Sequence, residues 1–239
     1  MQSSLKIGSI MDIPIKLDTS FVLALPISAY FFAINSQPYG FAEVEPPIVR
    51  YAFSALSAIF LFASVLLHEL SHSYLAKRYG ANIASITLLL FGGVASMEIP
   101  QKPGQEAKIA FAGPLTSLII GIVCLFIYGR LISFSPAVSQ NSIYLIIWII
   151  GSMNLLLGIF NLLPAFPMDG GRILRSFFAR KMSYVKATHS AASIGKFVAI
   201  LMAIYGIYVG DLWLLLIALY IYGSASNEDR FYSELGRSV

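Results

Sequence analysis

Residues 66–72, LLHELSH, lie near the end of a long apolar run and decide how the rest of the chain is interpreted. On a helix, His68 and His72 are four residues apart, so both imidazole rings point to one face. Two neutral imidazoles at this spacing can bind one Zn²⁺, each at about 2.0–2.1 Å. Glu69 follows the first histidine, where it can act as a general base beside a metal without ligating it. The pattern His-Glu-x-x-His on a helix is typical of zinc peptidases.

The apolar context strengthens this interpretation. The same pattern occurs by chance in soluble helices, where the histidines are solvated or cap a helix end. Here the preceding residues 63–67, ASVLL, are typical of a membrane helix. An ionisable residue within a membrane helix costs roughly 2.5–3.5 kcal/mol on insertion scales and usually has a function. Two of the three histidines of the chain lie in this motif. We therefore expect a metal site.

The composition indicates a polytopic membrane protein. The chain has 239 residues, of which 57% are hydrophobic and 12% charged, whereas soluble domains have about 25% charged residues. The net charge of +4 is better explained by membrane topology than by a nucleic-acid partner. Cys124 is the only cysteine, so no intrachain disulfide can form. Residues 1–18 lack the apolar core of a signal peptide, and the first hydrophobic run is expected to be a retained span.

The apolar runs predict an all-α membrane protein with six transmembrane helices and a small membrane-associated β-sheet. We expect a transmembrane domain over residues 1–225 and a polar cytoplasmic tail over 226–239. The predicted spans are about 20–35, 52–76, 106–128, 143–163, 189–209 and 212–222.

The sheet is predicted over about 5–17 and 82–98. Residues 82–98 are short for a span, which needs about 20 residues. They contain β-branched residues and the pair Gly92-Gly93, which is unfavourable within a helix. A membrane-embedded sheet and a simple surface hairpin both remain possible for this segment.

The distribution of basic residues predicts the topology. With six spans, both termini lie on one side of the membrane. Thirteen of the sixteen Lys and Arg residues lie on that side, Arg50 and Arg130 lie on the other, and Lys196 lies within a predicted span. The positive-inside rule then places both termini in the cytoplasm, as expected for a multi-pass protein of the cell membrane. The second and fourth spans both run towards the cytoplasm, so His68 and Asp169 are both expected in the cytoplasmic half of the bilayer.

Asp169 is the candidate third ligand. Catalytic zinc has three protein ligands and one open position. The following residues, Gly170 and Gly171, allow a sharp turn and a close approach that could direct the carboxylate back into the bundle. Alternatively, Asp169 pairs with Arg172 or caps the next helix. Local chemistry leaves both interpretations open.

Three segments resemble the site-2 protease family of intramembrane zinc metalloproteases, particularly its compact prokaryotic and archaeal members. They are residues 68–72 (HELSH), 111–114 (FAGP) and 161–171 (NLLPAFPMDGG), the last being highly specific. The resemblance implies one Zn²⁺ per chain, bound by His68, His72 and Asp169. It implies that Glu69 is the catalytic acid/base and that Asn161 binds the scissile carbonyl or its oxyanion.

The resemblance also implies the reaction and the partners. We expect a zinc metalloendopeptidase that cleaves a peptide bond within or near the transmembrane segment of a single-pass membrane protein, surrounded by lipid. Residues 91–93 resemble the family's membrane-embedded sheet, which is thought to pair with unfolded substrate. Some relatives continue into cytoplasmic nucleotide-binding modules, which we expect to be absent or removed here because the chain stops at Val239. The oligomeric state is not predicted.

Two other functions would also place histidines in a membrane bundle. A metal transporter should have carboxylates or histidines along a path through both leaflets, and the first, third and sixth predicted spans offer almost none. A zinc-stabilised scaffold would have no use for Glu69, so replacing that residue should leave it intact.

Overall fold

The computed structural model describes residues 4–89, 92–97, 103–134 and 142–235. These ranges contain seven helices and four strands. In chain order they are β1 (Ser4–Ile10), β2 (Ile13–Asp18), α1 (Phe21–Ile34), α2 (Pro47–Arg78), β3 (Ile83–Leu89), β4 (Gly92–Met97), α3 (Pro103–Phe134), α4 (Ser142–Asn161), α5 (Asp169–Phe178), α6 (Tyr184–Val209) and α7 (Leu212–Leu235).

Four of these helices, α2, α3, α4 and α6, are long and apolar enough to cross a membrane. The apolar helix α1 has 14 residues, fewer than a straight span needs. Helix α7 begins at the sixth predicted span and continues to Leu235 without a break. The prediction of a mostly helical integral membrane protein with a small sheet is thus confirmed, and the count of six spans stays a prediction.

The chain divides into two compact units. The first contains residues 1–98 and 115–158, and the second contains residues 99–114 and 159–239. The boundaries fall within α3 and α4, so each of these helices contributes residues to both units. Because the sheet, α1 and α2 all belong to the first unit, the His-Glu-x-x-His segment lies there.

The sheet of the first unit has the strand order β1-β2-β3-β4. The pairs β1–β2 and β3–β4 are antiparallel, and β2 and β3 are parallel. Parallel neighbours need a long crossover connection, which α1 and α2 provide. The sequence predicted strands in both segments but did not predict their parallel pairing.

One face of the sheet packs on α2 around the histidine motif. Ile13, Ile15 and Ile86 are buried and contact Leu66 and Leu70 of α2. Side chains alternate between the two faces of a strand, so every second residue of β2 reaches this interface. The sheet therefore packs on α2 through leucines three residues before and one residue after Glu69.

The helices of the first unit pack through apolar side chains and a few buried polar pairs. One cluster joins α1, α2, α4 and the segment after α1; its buried members are Phe32, Phe41, Ala58, Leu145, Ile146 and Ile149. One turn before the histidine motif, the side-chain amide of Asn154 in α4 donates to Ser64 Oγ in α2 at 3.0 Å. This buried bond ties α4 to α2 close to the motif.

The second unit is built around small residues and one buried cation. Ala165, Ala191, Ala192 and Ala199 are all buried. A Cβ atom added to Gly195 would lie 3.0 Å from the Ala165 Cα. Such small side chains let α6 approach the segment between α4 and α5 closely.

The buried cation is Arg175 of α5, which is 1% exposed. Its guanidinium donates to Glu106 Oε1 at 3.0 Å through Nε and to Glu228 Oε1 at 2.6 Å through Nη1. The rings of Phe166, Tyr184 and Tyr232 surround it, with centroids 4.8–5.2 Å from Cζ. Desolvation by burial would lower the pKa of Arg175, but the charges of Glu106 and Glu228 and the hydrogen bonds to Glu106 raise it above its usual value. The guanidinium therefore stays charged and holds together the start of α3, α5 and the end of α7.

Candidate active site

The helix that carries the histidine motif has clear start and stop signals. Pro47 occupies the first position of α2, where the missing N–H costs no hydrogen bond. Lys77 and Arg78 lie in the last turn, where their positive charges interact favourably with the helix dipole. Gly80 follows with φ +83°, a left-handed conformation that ends the helix. At 32 residues, α2 is about 48 Å long and exceeds the apolar layer of a bilayer, about 30 Å.

The two histidines lie side by side within this helix. Their ring centroids are 4.8 Å apart and their planes are inclined at 75°. His68 is 3% exposed and His72 is 6% exposed. Two adjacent buried imidazoles on one helix face are suitable nitrogen ligands for a metal ion.

A hydroxyl group on α3 orients the first histidine. Ser117 Oγ lies 2.9 Å from Nδ1 of His68, and Ser117 is fully buried. In the metal-binding tautomer, Nδ1–H donates to this oxygen and Nε2 carries the lone pair for the metal. Metal-binding histidines usually make such a hydrogen bond through their second ring nitrogen. Ser117 therefore fits the role of a residue that sets the tautomer and the ring orientation of His68.

A second hydrogen bond joins the same two helices next to the first. Ser71 Oγ lies 2.7 Å from Thr116 Oγ1, and Ser71 Oγ also donates to the Leu67 carbonyl at 2.8 Å. Consecutive residues of α3 thus contact residues one turn apart on α2. The two bonds prevent rotation of the motif relative to α3.

Glu69 lies against strand β4. A Cβ atom added to Gly93 would lie 2.5 Å from Glu69 Cγ and 3.4 Å from Oε1. The first unit therefore contains the two histidines, the carboxylate of Glu69 and the strand that borders it.

Asp169 and Asn161 belong to the second unit. Asp169 is the first residue of α5 and is 7% exposed. A carboxylate at this position interacts favourably with the helix dipole. The extended residue Met168, not Asp169, occupies the N-cap. Asn161 is the last residue of α4 and is partly buried.

The turn before Asp169 is closely packed, for which the two glycines are needed. A Cβ atom added to Gly170 would lie 2.2 Å from the Leu163 carbonyl oxygen, and one added to Gly171 would lie 2.8 Å from the Ala165 carbonyl carbon. No other residue fits these contacts without moving the backbone. The two glycines thus permit the close packing of the turn that leads to Asp169.

The donor types are those that zinc takes in proteins. Two imidazoles and one carboxylate are a common ligand set of catalytic zinc, and all three side chains are buried. The hydrogen bond between His68 and Ser117 is of the kind that metal-binding histidines usually make through their second ring nitrogen. By their chemistry, these residues fit the metal.

The hydroxyl groups of Thr116 and Ser117 were not identified from the sequence. They follow Gly113-Pro114 in an apolar helix, where most Ser and Thr side chains bond to their own helix. Their position shortly after the Phe-Ala-Gly-Pro segment is the one signal that could have singled them out.

Comparison with known proteins identifies the family. The model of peptidase family M50 matches residues 56–135 and 130–203, more than half of the chain. This chain belongs to peptidase family M50. The resemblance to site-2 proteases noted in the sequence is thereby confirmed.

Several M50 relatives match nearly the whole chain. The protein named Zinc metalloprotease MJ0392 of Methanocaldococcus jannaschii is 41% identical, and the alignment covers 96% of this chain and 62% of that protein. Putative zinc metalloprotease Rip3 of Mycobacterium tuberculosis is 33% identical, with 96% of this chain and 59% of that protein covered. The chain thus spans about three fifths of the length of these curated relatives.

A solved structure agrees with this assignment. The structure titled Site-2 Protease from Methanocaldococcus jannaschii is 38% identical, with a TM-score of 0.64 and 95% of both chains covered. The M50 chain described here therefore has the same fold as that structure.

Proposed function

We propose that this chain is an intramembrane zinc metalloprotease that hydrolyses a peptide bond within or near the transmembrane segment of a single-pass membrane protein. The observation that carries the proposal is the buried His68–His72 pair, with Glu69 between them, in a helix apolar enough to cross a membrane. Membership of family M50 and relatives named as zinc metalloproteases support it.

The proposed cofactor is one Zn²⁺ per chain, held by His68, His72 and Asp169. When bound, zinc acts as a Lewis acid that polarises a carbonyl group and makes a water nucleophile available near neutral pH. The carboxylate of Asp169 would lower the net charge of the site from +2 to +1, which reduces the cost of placing the ion in an apolar setting. Removal of zinc by a chelator should therefore abolish cleavage reversibly.

Glu69 is the proposed acid/base. Its carboxylate accepts a proton from the attacking water and later delivers a proton to the amide nitrogen that leaves. Asn161 is proposed to donate a hydrogen bond to the scissile carbonyl, an interaction that strengthens as the oxygen gains negative charge. In sum, one water is consumed, the C–N bond breaks, and a carboxyl group and an amine are released.

The proposed substrate is bound as an extended segment. A transmembrane helix hides its amides in internal hydrogen bonds, so it must unwind before it is hydrolysed. Among the described residues, β4 pairs with β3 and has no neighbour on its other side. A substrate segment added at that edge would regain backbone hydrogen bonds. The contact between Gly93 and Glu69 supports this placement, because a strand beside β4 would run close to the acid/base.

The proposed topology has six spans in the cell membrane and both termini in the cytoplasm. It adds α1 and the first part of α7 to the four long apolar helices. The excess of Lys and Arg on the side of the termini supports this orientation.

The proposal is tested by cleavage of a panel of single-pass model substrates in detergent by the wild type and Glu69→Gln, with zinc measured on both. We expect the wild type to cut and the variant to retain zinc without cutting. Mass spectrometry of the products should place the cut within or next to the apolar segment. Equal cleavage by both proteins, or cuts confined to soluble parts, would contradict the proposal. Zinc bound to both proteins without any cleavage would favour a scaffold.

A further inference from the structure

Strand β4 passes unusually close to the side chain of Glu69. Gly93 pairs with Leu88 of β3 in the antiparallel hairpin. A Cβ atom built on Gly93 would lie 2.5 Å from Glu69 Cγ, 3.2 Å from Cδ and 3.4 Å from Oε1. Carbon atoms that are not bonded normally stay about 3.5–4.0 Å apart. Glu69 therefore occupies the space that a side chain at position 93 would fill.

The contact involves the functional side chain itself. The three atoms nearest to the added Cβ all belong to the Glu69 side chain, and none is a backbone atom. A methyl group here would push on Cγ and the carboxylate rather than on the backbone of α2. Rotation of one flexible side chain would relieve the overlap, so the fold itself should tolerate the change.

Contacts of the sheet with α2 and with β3 hold β4 in place beside Glu69. Leu66 and Leu70, on either side of Glu69 in the sequence, pack on Ile13, Ile15 and Ile86 of the sheet. β4 is paired along its length with β3, from Ile83↔Met97 to Leu89↔Gly92. The sheet is thus fixed to the helix that carries Glu69, and Gly93 cannot withdraw without disturbing these contacts.

From this geometry we propose that Gly93 is a positioning residue for Glu69. Its missing side chain lets the β4 backbone serve as the surface against which the Glu69 Cγ and carboxylate rest. The inference relies on the proposed function, since it takes Glu69 to be the acid/base. It adds a second role for β4, which would both bind the substrate segment and set the position of the carboxylate.

The expected effect follows from the size of the overlap. Restoring an ordinary contact from 2.5 Å requires Glu69 Cγ to move by about 1 Å, and a misplacement of about 1 Å in an active site can lower the rate roughly 100-fold. Zinc binding should persist, because the histidine face is separate from the face that meets β4. Substrate binding should also persist, because a methyl group on the face towards α2 leaves the backbone groups at the edge of β4 in place.

The test compares Gly93→Ala with Gly8→Ala in the full chain. Gly8 is also a strand glycine, but a Cβ atom added there meets nothing within 4 Å. For each variant, zinc content, thermal unfolding, kcat and KM for a single-pass model substrate are measured. Gly93→Ala should lower kcat roughly 100-fold with KM, zinc content and unfolding temperature as in the wild type. Gly8→Ala should match the wild type throughout. Gly93→Val, with a larger side chain, should lower kcat further than Gly93→Ala.

The outcomes separate this inference from the proposed function. If the wild type cuts, Glu69→Gln does not, and Gly93→Ala retains the wild-type kcat, the positioning role is wrong while the protease assignment stands. Loss of zinc, or a rise in KM without a fall in kcat, would likewise contradict positioning. A wild type that cuts no substrate would overturn both proposals.

Discussion

The hydrogen bond between Ser117 and His68 makes a quantitative prediction about zinc binding. Replacing Ser117 by Ala removes the Oγ that lies 2.9 Å from His68 Nδ1. Both residues are buried, with 0% and 3% of their surface exposed, so water cannot readily replace the lost partner. The His68 Nδ1–H would then lose Ser117 Oγ as its hydrogen-bond acceptor, and the ring would lose this support for its orientation.

The size of the effect can be estimated from the burial. Leaving a buried donor unsatisfied costs about 1–3 kcal/mol, and removing the outer hydrogen bond of a metal histidine typically lowers metal affinity about 10–100-fold. A factor of 10 corresponds to about 1.4 kcal/mol, so the two estimates agree. We expect Ser117→Ala to weaken zinc binding by about 10–100-fold.

The assay is competition for zinc between the purified protein in detergent and a chelating dye of known affinity. The matched control is Thr116→Val, which keeps the shape of the neighbouring residue and removes the 2.7 Å hydrogen bond to Ser71. That bond joins the same helices without touching a histidine. We expect Thr116→Val to retain zinc affinity within about threefold of the wild type. This change is smaller than the loss of about 10–100-fold expected when a hydrogen bond to a zinc-binding histidine is removed.

Two results would contradict a role for Ser117 in orienting His68. Wild-type zinc affinity in Ser117→Ala would show that the hydroxyl does not orient the ligand. Equal losses in both variants would show that the hydrogen bonds act only by holding α2 and α3 together.

Three further predictions concern the second unit. Arg175→Met should destabilise the protein by about 3–5 kcal/mol, because Glu106 would remain buried without its cation. The double variant Arg175→Met/Glu106→Gln should regain most of the loss in unfolding temperature. No such gain would show that the unpaired Glu106 is not the cause of the destabilisation. Gly170→Ala should abolish zinc binding measured by mass spectrometry, because the new Cβ would lie 2.2 Å from a backbone carbonyl oxygen in the turn before Asp169. Unchanged zinc content would show that this turn does not position Asp169 as a ligand. Burial would raise the pKa of Asp229, but hydrogen bonds from Lys196 and His189 of α6 lower it below its usual value. The stabilisation is therefore present above the unfolded pKa, near 4, and is lost as pH falls through the folded pKa. Asp229→Asn should lower the unfolding temperature at pH 7 and by progressively less as the pH falls below about 4, and a loss that stays the same at all pH values would contradict this assignment.

Local patterns were sufficient to predict the histidine side of the site. The spacing of His68 and His72 and the apolar run before them depend only on neighbouring residues and on helix periodicity. The structure accordingly places both rings on one face of α2, with Glu69 beside them. The strands also lie in the two segments where the sequence predicted a sheet.

The contacts that orient these groups could not be predicted, because they join residues far apart in the sequence. Ser117 of α3 forms a hydrogen bond with His68 of α2, and Gly93 of β4 lies against the side chain of Glu69. The parallel pairing of β2 with β3 likewise depends on how α1 and α2 return the chain. None of these pairings has a local signature, since a serine or a glycine in an apolar segment is ordinary.

The count of basic residues that predicts the topology includes Arg175, but it does not show how this arginine packs. Arg175 lies in the short helix α5 and is buried rather than facing the membrane surface. Charge counting treats this arginine as a surface cation, whereas its partners Glu106 and Glu228 come from the beginning of α3 and the end of α7. Recognising a buried ion pair of this kind requires the tertiary structure.

We propose that one zinc ion binds to His68, His72 and Asp169. The decisive experiment measures zinc per chain, by mass spectrometry on purified protein, in the wild type, Asp169→Ala and the control Asp229→Asn. Asp229 is an acidic residue on α7 that pairs with Lys196 and lies outside the proposed site. We predict one zinc ion per chain in the wild type and in Asp229→Asn, and loss of zinc in Asp169→Ala. Full zinc occupancy with wild-type affinity in Asp169→Ala would show that Asp169 is not a zinc ligand.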